Sequence, residues 1–481
     1  MKFDILLLNP PTTDSQKFVR EGRCTQQIDF WGTLWPPISL ATIGAVLLQD
    51  NFGVQIFDCP AQEISLDFLK NIIAAQKPNV VIWSTGTPTI ENDLGLADII
   101  KKVNSSIATI VFGTHVTALA QECLERYPAL DFIARNEPEY SIRKLVNCLN
   151  DKKAIHEIKG ISFRTSKDQI KHNPDREYIR NPDELPEPAW QLIDINRYRL
   201  PITNKKYLII APFRGCPFKC TFCTAQTYYS NQLRKRSVDV VLTEIKHNME
   251  KYHIQDFFFW ADTFTVNKKY VTELCNKIIN SNLNIRWTCN ARVDTVDESM
   301  FNVMAKAGCW MVSFGIESGN QEILDGVKKG IKIEQAFTAV TAARKAGIKT
   351  VGHFILGLPG ETHETIEETI AFSRKLGLDF AQFYCAVPFP GSKLYDEAIS
   401  NHWLSDTDWQ HFSQNSAIMN FPEITAEEVN EYRKKAASSF YYHLPTVWRL
   451  FLVTIKIFSF RGFIVTIYNH LINVRVRKSK G

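Results

Sequence analysis

The sequence predicts an α/β protein that contains two consecutive α/β units followed by a helical region. In both units short apolar segments alternate with amphipathic segments of helical length, which is the pattern of a parallel sheet covered by helices. The first unit has the pattern of a doubly wound sheet, and the six strands of the second predict a partial (β/α)6 barrel. A chain of 481 residues has room for two or three domains.

The first unit, residues 1–150, contains strands predicted at 3–8, 54–57, 80–84, 109–112 and 131–134. The turn after the first strand is Asn9-Pro10-Pro11-Thr12, which lacks the Gly-x-Gly-x-x-Gly of a dinucleotide site. Ligands of such sheets bind at the carboxyl ends of the strands. Small and hydroxyl-bearing residues occur at two of these ends, and we expect a ligand site formed by Ser84, Thr85, Thr87, Gly113, Thr114 and His115.

Residues 151–201 differ in character and predict a linker. The segment is charged and polar, and 160–164 has the pattern of one strand of a small hairpin. Closely spaced prolines at 182, 186 and 188 predict an extended connector with a fixed path.

The second unit, residues 202–398, carries three cysteines directly after its first strand. Cys216, Cys220 and Cys223 are separated by four and three residues. Three thiols without a fourth Cys or His in the loop do not suit a closed structural zinc site, which needs four ligands. They suit a [4Fe–4S] cluster with one open iron, and a zinc or electron-transfer site is the alternative.

The segment Cys-x-x-x-Cys-x-aromatic-Cys, with Phe222 in the aromatic position, resembles the signature of the radical SAM (S-adenosylmethionine) superfamily. The resemblance implies that the open iron chelates SAM and that the reduced cluster cleaves SAM to a 5′-deoxyadenosyl radical. Matching segments at later strand ends imply contacts with SAM through Asp262, Arg292, Glu317, Ser318, Gly357 and Pro359.

Each of these matches has a simpler structural alternative. Asp262 would accept a hydrogen bond from the SAM amino group, or would only cap a helix. Arg292 would face SAM or substrate, or would only form a salt bridge with Asp294. Glu317 would bind the ribose hydroxyls because a buried carboxylate needs donors, whereas Gly357 would lie against the adenine or serve only as a turn residue.

The first unit resembles the cobalamin-binding domain that precedes the barrel in many radical SAM enzymes. The resemblance is carried by Asn9-Pro10-Pro11, by 36–41 and by Arg135-Asn136-Glu137-Pro138-Glu139. The family often has Gly at the position of Thr114 and Gly-Glu-x-Glu at 135–138. The chain has no Asp-x-His-x-x-Gly, which implies cobalt without a protein histidine ligand, and His115 is then either a cobalamin contact or a hydrogen-bonding loop residue.

Together these resemblances, which cover residues 1 to about 398, imply a cobalamin-dependent radical SAM enzyme that methylates an unactivated carbon of a small molecule. Its cofactors would be a [4Fe–4S] cluster, SAM and cobalamin, and a flavodoxin or ferredoxin would donate low-potential electrons. One alternative is a cyclase or oxidative rearrangement enzyme without net methylation, and another is a non-catalytic cobalamin or Fe–S sensor. Tyr384 and Cys385, at the end of the sixth barrel strand, are the first candidates for contact with the substrate.

Charge and cysteine usage limit the partners and the compartment. The net charge of +5 is too small to indicate nucleic acid as a partner. The apolar run at the N-terminus is too short for a signal peptide, and the cysteines outside the cluster loop show no disulfide pattern, so we expect a cytoplasmic protein.

The C-terminal region, 399–481, is predicted to be helical. Residues 441–476 are apolar but interrupted by Arg449, Lys456 and Arg461, so no membrane span is expected, and 475–480 is basic. Either an interfacial helix contacts the inner face of the membrane, which would favour a hydrophobic or lipid-like substrate, or a helix packs on the barrel.

Overall fold

The first sheet contains seven strands and confirms the predicted doubly wound unit. The computed structural model describes residues 4–12, 16–22, 25–27, 33–149, 152–166, 169–200 and 203–457. In chain order the strands of this sheet are β1 (Ile5–Asn9), β2 (Val54–Asp58), β3 (Val80–Ser84), β4 (Ala108–Phe112), β5 (Phe132–Ala134), β6 (Ile161–Ser166) and β7 (Gln169–His172). They are arranged in the order β2-β1-β3-β4-β5-β6-β7.

The first five strands are parallel, and the sheet changes winding direction between β1 and β3. All five residues of β1 are buried because helices cover both faces of the sheet. The helices of this unit are Ile38–Leu48, Cys59–Gln62, Leu66–Gln76, Ile90–Val103, Thr114–Ala118, Ala120–Arg126, Glu139–Cys148 and Lys152–Ile155. The carboxyl ends of β1 and β3 therefore border the crevice in which such sheets bind ligands.

The hairpin that the sequence assigns to the linker continues the first sheet. Phe163 of β6 pairs antiparallel with Phe132 of β5, and β6 in turn pairs with β7. The remainder of the predicted linker contains three short 3-10 turns and no strand of a sheet within 173–200.

The second sheet contains six parallel strands in sequence order, which confirms the predicted partial barrel. They are β8 (Tyr207–Ile210), β9 (Asp256–Phe259), β10 (Arg286–Ala291), β11 (Cys309–Glu317), β12 (Lys349–Leu356) and β13 (Phe380–Cys385). The helices of this unit are Ala225–Tyr229, Val238–Tyr252, Lys268–Asn280, Glu298–Lys306, Gln321–Gly326, Ile333–Lys345, His363–Lys375 and Lys393–Ser400. All strands run in the same direction, so their carboxyl ends form one mouth.

The C-terminal region is helical, as predicted. The helix Ala426–Tyr441 packs on β13, where the Tyr441 hydroxyl donates a hydrogen bond to the Ala381 carbonyl at 2.7 Å. A second helix, Leu444–Ile457, follows it. The basic end of the chain lies outside the described residues, and no helix in the part that the structure describes has the length and apolar character to cross a bilayer.

Candidate active site at the barrel mouth

The cysteine loop leaves the barrel directly after β8. Gly215 has φ +83°, and a Cβ atom there would lie 2.2 Å from the Gln232 carbonyl oxygen, so the tight entry to the loop requires glycine. Cys216 is buried, whereas Cys220 and Cys223 are partly exposed. The Cys223 sulfur accepts a hydrogen bond from the Ala225 amide at 3.5 Å, at the start of the helix Ala225–Tyr229.

Arg292, at the end of β10, lies under this loop. Its guanidinium carbon is 3.6 Å from the centroid of the Phe218 ring, and Nη1 lies 4.0 Å from the Cys220 sulfur. The same side chain forms a bidentate pair with Asp294, with both N–O distances at 2.9 Å. The salt bridge with Asp294, which was the simpler alternative for Arg292, is therefore present together with the contact to the cysteine loop. It orients the guanidinium toward the loop.

Glu317, at the end of β11, is connected to Arg292 through Lys329. Lys329 Nζ donates to Glu317 Oε1 at 2.6 Å, and the Lys329 carbonyl accepts from Arg292 Nη2 at 2.7 Å. Glu317 has φ +70° at an irregularity in the β11–β12 pairing, which turns its side chain out of the regular strand alternation. A Cβ atom on Gly315 would lie 2.7 Å from Glu317 Oε1, so glycine leaves the room that this carboxylate needs.

The remaining predicted SAM residues surround the same mouth. Ser318 is buried, and its hydroxyl lies 3.1 Å from that of Thr369. Gly357 has φ +82° in the turn after β12, and Pro359 follows in the same turn. Asp262 follows β9 and lines a cavity of about 50 Å³ between the barrel and the first unit.

This cavity does not include the cysteines or Glu317. Its walls come from the helix Ile38–Leu48, from 182–188 and from barrel residues that include Arg214 and Trp260. Of the residues that the sequence predicts to contact SAM, only Asp262 lines this cavity, which marks the space between the two units.

The cysteine loop fits an iron–sulfur cluster by its donor set rather than by a preformed cage. Within the described residues, no three His, Cys, Asp or Glu side chains already form a group that could hold a metal ion. The loop nevertheless supplies three thiols within eight residues, an amide donor to one sulfur and a guanidinium beside another. Hydrogen bonds and positive charge of this kind stabilise thiolates and adjust the potential of a cluster.

The two predicted ligand loops of the first unit touch each other at the carboxyl edge of the sheet. Gly113 has φ +145°, and a Cβ atom there would lie 2.2 Å from the Thr85 carbonyl oxygen. The Thr85 hydroxyl donates to Asp93 at 3.0 Å, while Ser84 lines a small crevice with Asn9. Both loops are buried, and their small side chains bring backbone to the carboxyl edge of the sheet, which fits a cofactor held mainly by backbone contacts.

His115 is enclosed by protein groups. Its Nδ1 lies 3.2 Å from the Thr87 hydroxyl, and its ring makes an edge-to-face contact of 4.8 Å with Trp409. Burial lowers the pKa of His115 to about 3, so the imidazole stays neutral. Thr114 beside it is also buried. These contacts favour the interpretation of His115 as a hydrogen-bonding loop residue.

Arg214, two residues before Cys216, connects the cysteine loop to the first unit. Its Nη2 lies 2.6 Å from Glu139 Oε1, and Nη1 lies 3.2 Å from Glu137 Oε1. Arg234 also pairs with Glu137, at 2.7 Å. Glu137 and Glu139 belong to the segment Arg135-Asn136-Glu137-Pro138-Glu139, which carries part of the resemblance to the cobalamin-binding domain, so this segment joins the two units.

The inner face of the barrel carries polar side chains near β12 and β13. His353 and Tyr384 stack with their ring centroids 5.7 Å apart, and the Tyr384 hydroxyl donates to Gln382 at 2.5 Å. Cys385 points the other way, where its sulfur lies 3.7 Å from Asn430 Oδ1 of the helix Ala426–Tyr441. Of the two candidates that the sequence offers for substrate contact, only Tyr384 faces the barrel interior.

Sequence reasoning did not identify the connecting residues Lys329 and Arg214. Lys329 stands in a Lys-Lys-Gly turn, and Arg214 precedes the loop glycine, so neither carries a periodicity or spacing signal. Their partners lie 12 and 75 residues away in the chain. The only hint was the Arg-Gly-Cys order at 214–216, which places a cation beside the cluster loop.

Family models match both units. Residues 210–373 match the radical SAM superfamily, and residues 31–146 match the B12 binding domain. An uncharacterized methyltransferase of Pyrococcus horikoshii is 32% identical over 461 residues, which cover 96% of each chain. The anaerobic magnesium-protoporphyrin IX monomethyl ester cyclase of Rubrivivax gelatinosus is 31% identical over 370 residues, which cover 76% of this chain and 66% of the cyclase.

A solved structure has the same fold. The radical S-adenosylmethionine methyltransferase TsrM of Kitasatospora setae, with cobalamin and a [4Fe–4S] cluster bound, superimposes with a TM-score of 0.68 at 15% identity. The superposition covers 91% of this chain and 81% of the other. Because the two sequences are only 15% identical, this similarity shows a shared fold, that is, the arrangement of the two units and the helical C-terminal region.

Proposed function

The chain belongs to the cobalamin-dependent branch of the radical SAM superfamily, and from this premise we propose that it methylates an unactivated carbon of a small molecule. Its cofactors are a [4Fe–4S] cluster, SAM and cobalamin. When bound, they supply a 5′-deoxyadenosyl radical and a methyl group. Methyl transfer in place of a hydrogen atom consumes two SAM molecules and two electrons, and it releases S-adenosylhomocysteine, methionine and 5′-deoxyadenosine.

The network from the partly exposed Cys220 through the buried Arg292 and Lys329 to the buried Glu317 carries this proposal. It links the loop after β8, which would hold the cluster, to a carboxylate at the end of β11, three strands further along the sheet. Cys216, Cys220 and Cys223 would ligate iron, and Phe222 packs the loop against the barrel core. Lys329 Nζ already donates a hydrogen bond to Glu317 Oε1, so the ribose hydroxyls of SAM would donate to Glu317 Oε2.

The other SAM contacts follow from their positions at the mouth. We propose that Asp262 accepts from the SAM amino group and that Arg292 keeps positive charge beside the cluster. Gly357 and Pro359 would offer turn backbone to the adenine, with Ser318 holding the Glu317 turn against Thr369.

The position of the first unit supports transfer between the two sites. The helix Thr114–Ala118 follows β4, and a Cβ atom on Gly391 of the barrel would lie 3.2 Å from Ala118 Cβ. Thr227, four residues after Cys223, donates to the Gly391 carbonyl at 2.6 Å. We propose that cobalamin binds at this edge, with Ser84, Thr85, Thr87, Gly113 and Thr114 along its site and His115 supporting Thr87 rather than ligating cobalt.

We propose that the substrate enters the barrel and contacts Tyr384, Gln382 and His353. These polar and aromatic side chains suit a molecule with a hydrogen-bonding group beside a planar or apolar part. A flavodoxin or ferredoxin would supply the two electrons. We propose a cytoplasmic location, because the free cysteines of the described part of the chain suit a reducing compartment.

A radical SAM cyclase is the second candidate, and the similarity to the Rubrivivax cyclase favours it. Such an enzyme would form 5′-deoxyadenosine without transferring a methyl group. A sensor without catalysis would have no use for a carboxylate placed beside the cluster loop, and the Glu317–Lys329–Arg292 network therefore weighs against it.

The products distinguish these functions. The cluster-reconstituted protein with hydroxocobalamin, SAM and a strong reductant should be assayed anaerobically with a fractionated cell extract as the source of substrate. Methyl transfer predicts that 5′-deoxyadenosine and S-adenosylhomocysteine rise together when the active fraction is added. Deoxyadenosine alone would indicate the cyclase or rearrangement, and neither product with a full cluster would contradict catalysis.

A further inference from the structure

In its part with described side chains, 444–452, the helix Leu444–Ile457 packs on the barrel through the face that carries Thr446, Arg449 and Leu450. Leu450 joins a small apolar cluster with Val351 and Phe380, which lie near the amino ends of β12 and β13. Arg449 donates to the Leu378 carbonyl at 3.1 Å, and Thr446 is buried. The helix therefore lies at the end of the barrel opposite the cysteine loop.

The other face of this helix is apolar and exposed, and we call it the C-terminal stripe. Nine large hydrophobic side chains are exposed among the described residues, and six of them form this stripe. They are Tyr442, Leu444, Val447, Trp448, Phe451 and Leu452. Trp448 is 62% exposed and stacks on Phe451 with centroids 5.6 Å apart. Spacings of three and four residues place such side chains on one side of a helix.

The sequence of the C-terminal region carries positive charge only. Residues 441–481 contain Arg449, Lys456, Arg461, Arg475, Arg477, Lys478 and Lys480, and no Asp or Glu. The whole chain has a net charge of only +5, so the remainder is slightly acidic. A second copy of the chain would bring two such basic tails together, whereas an anionic surface would attract them.

We propose that the C-terminal stripe docks on an anionic lipid bilayer. Trp, Tyr, Phe and Leu would enter the interface between headgroups and acyl chains, and the basic residues would contact the headgroups. The helix would lie on the bilayer without crossing it. Because the stripe is at the opposite end of the barrel, the mouth and the crevice between the two units stay open to substrate from the aqueous side.

The test uses the full-length reconstituted protein and two kinds of vesicle. One contains phosphatidylcholine alone, and the other contains about one third phosphatidylglycerol. Co-flotation should show at least about tenfold stronger binding to the anionic vesicles, which high salt reduces. Trp448→Glu together with Phe451→Glu should lower this binding at least about tenfold.

Phe68→Glu is the matched control, because Phe68 is 57% exposed on the first unit, and it should leave binding unchanged. Equal binding to both vesicles, or binding to neither, would overturn the proposal. A dimer in solution that Trp448→Glu dissociates would make the stripe a subunit interface instead. If no vesicle binds and Trp448→Glu lowers the melting temperature, the stripe is an internal packing face. Binding needs neither SAM nor cobalamin, so a failure here leaves the proposed methyl transfer untouched.

Discussion

Arg214 and Glu139 form a buried ion pair across the junction of the two units, with 2.6 Å between Nη2 and Oε1. Burial alone would lower the pKa of the Arg214 guanidinium, but the carboxylates of Glu139 and Glu137 raise it well above its usual value. Since Arg214 stands two residues before Cys216, this pair attaches the cysteine loop to the first unit. It fixes the distance between two sites that the proposed reaction must bring together.

Breaking this pair should destabilise the protein. Glu139→Gln leaves a buried guanidinium with one carboxylate fewer, so the free energy of unfolding should fall by about 3–5 kcal/mol. Denaturant unfolding followed by far-ultraviolet circular dichroism measures the loss. Glu91→Gln is the control, because Glu91 and its partner Arg126 are partly exposed, and it should cost less than about 1 kcal/mol. Equal small losses would show that the junction does not depend on Arg214.

The cluster should depend on the three loop cysteines. Cys220→Ala should lower the iron bound after reconstitution and abolish 5′-deoxyadenosine formation, because the cluster would keep only two of its thiolate ligands. Iron analysis and the visible absorption of the cluster measure the effect. Cys148→Ala changes a cysteine outside the loop and should keep iron and activity. Full iron content in the Cys220 variant would contradict the assignment.

Glu317→Gln should weaken SAM binding. A hydrogen bond to a charged group contributes about 1.5–3 kcal/mol, which corresponds to about 10–150-fold in affinity. Titration calorimetry on cluster-loaded protein measures this change, and iron content shows whether the loop is intact. Glu322→Gln alters an exposed neighbouring carboxylate and should bind SAM normally. An unchanged SAM affinity in the Glu317 variant would mean that Glu317 does not bind SAM and only forms the ion pair with Lys329.

Glu361 should make stability dependent on pH. Burial raises the pKa of its carboxyl to about 8, although the Leu358 and Gly357 amides donate to it, and Oε1 has no hydrogen-bond partner among the described residues. The unfolded carboxyl titrates near 4.5. The unfolded state therefore loses this proton first, and stability falls as pH rises between these values, by at most about 1.4 kcal/mol per pH unit.

Glu361→Gln keeps an oxygen acceptor for both amides and removes the titration. The variant should lessen the decline in the free energy of unfolding between pH 5 and pH 8, measured by denaturant unfolding at several pH values, while Glu21, whose pKa burial also raises to about 8, keeps part of it. Glu364→Gln is the control. Glu364 is an exposed carboxylate whose pKa is lowered, so its titration lies below this pH window and the decline in the free energy of unfolding should persist. If the free energy of unfolding declines as steeply with pH in Glu361→Gln as in the unaltered protein, groups other than Glu361 cause the decline.

Tyr384 and Cys385 should differ in their effect on the reaction. Tyr384→Phe removes a hydroxyl inside the barrel and should lower substrate-dependent product by about 2–10-fold, the range of one neutral hydrogen bond. SAM cleavage without substrate should continue. Cys385→Ala changes a side chain that faces the helix Ala426–Tyr441, so the ratio of product to 5′-deoxyadenosine should stay the same. If Cys385→Ala lowers the product and Tyr384→Phe does not, the substrate binds outside the barrel.

Most of the fold was predictable because each element carries its own periodicity. The helix Val238–Tyr252 is an example: Ser237 caps its first turn, and its buried apolar residues recur at spacings of three and four, so both signals lie in the local sequence. The short helices Ala225–Tyr229 and Gln321–Gly326 were not predicted because five or six residues are too few for a periodic signal. Leu119 leaves helical geometry and separates the helices Thr114–Ala118 and Ala120–Arg126, and no Gly or Pro in the sequence marks this break.

The sequence by itself determined the two sheets, the cysteine loop and the strand ends at which ligands bind, because spacing and alternation are properties of neighbouring residues. The tertiary structure decided which of these groups meet. Lys329 reaches Glu317, Arg214 reaches Glu139, and His115 turns toward Thr87 and Trp409. Such contacts depend on how strands and loops pack in space, and a buried charge takes the partner that packing provides. No local pattern could specify these pairs, although they connect the two units and form the candidate site.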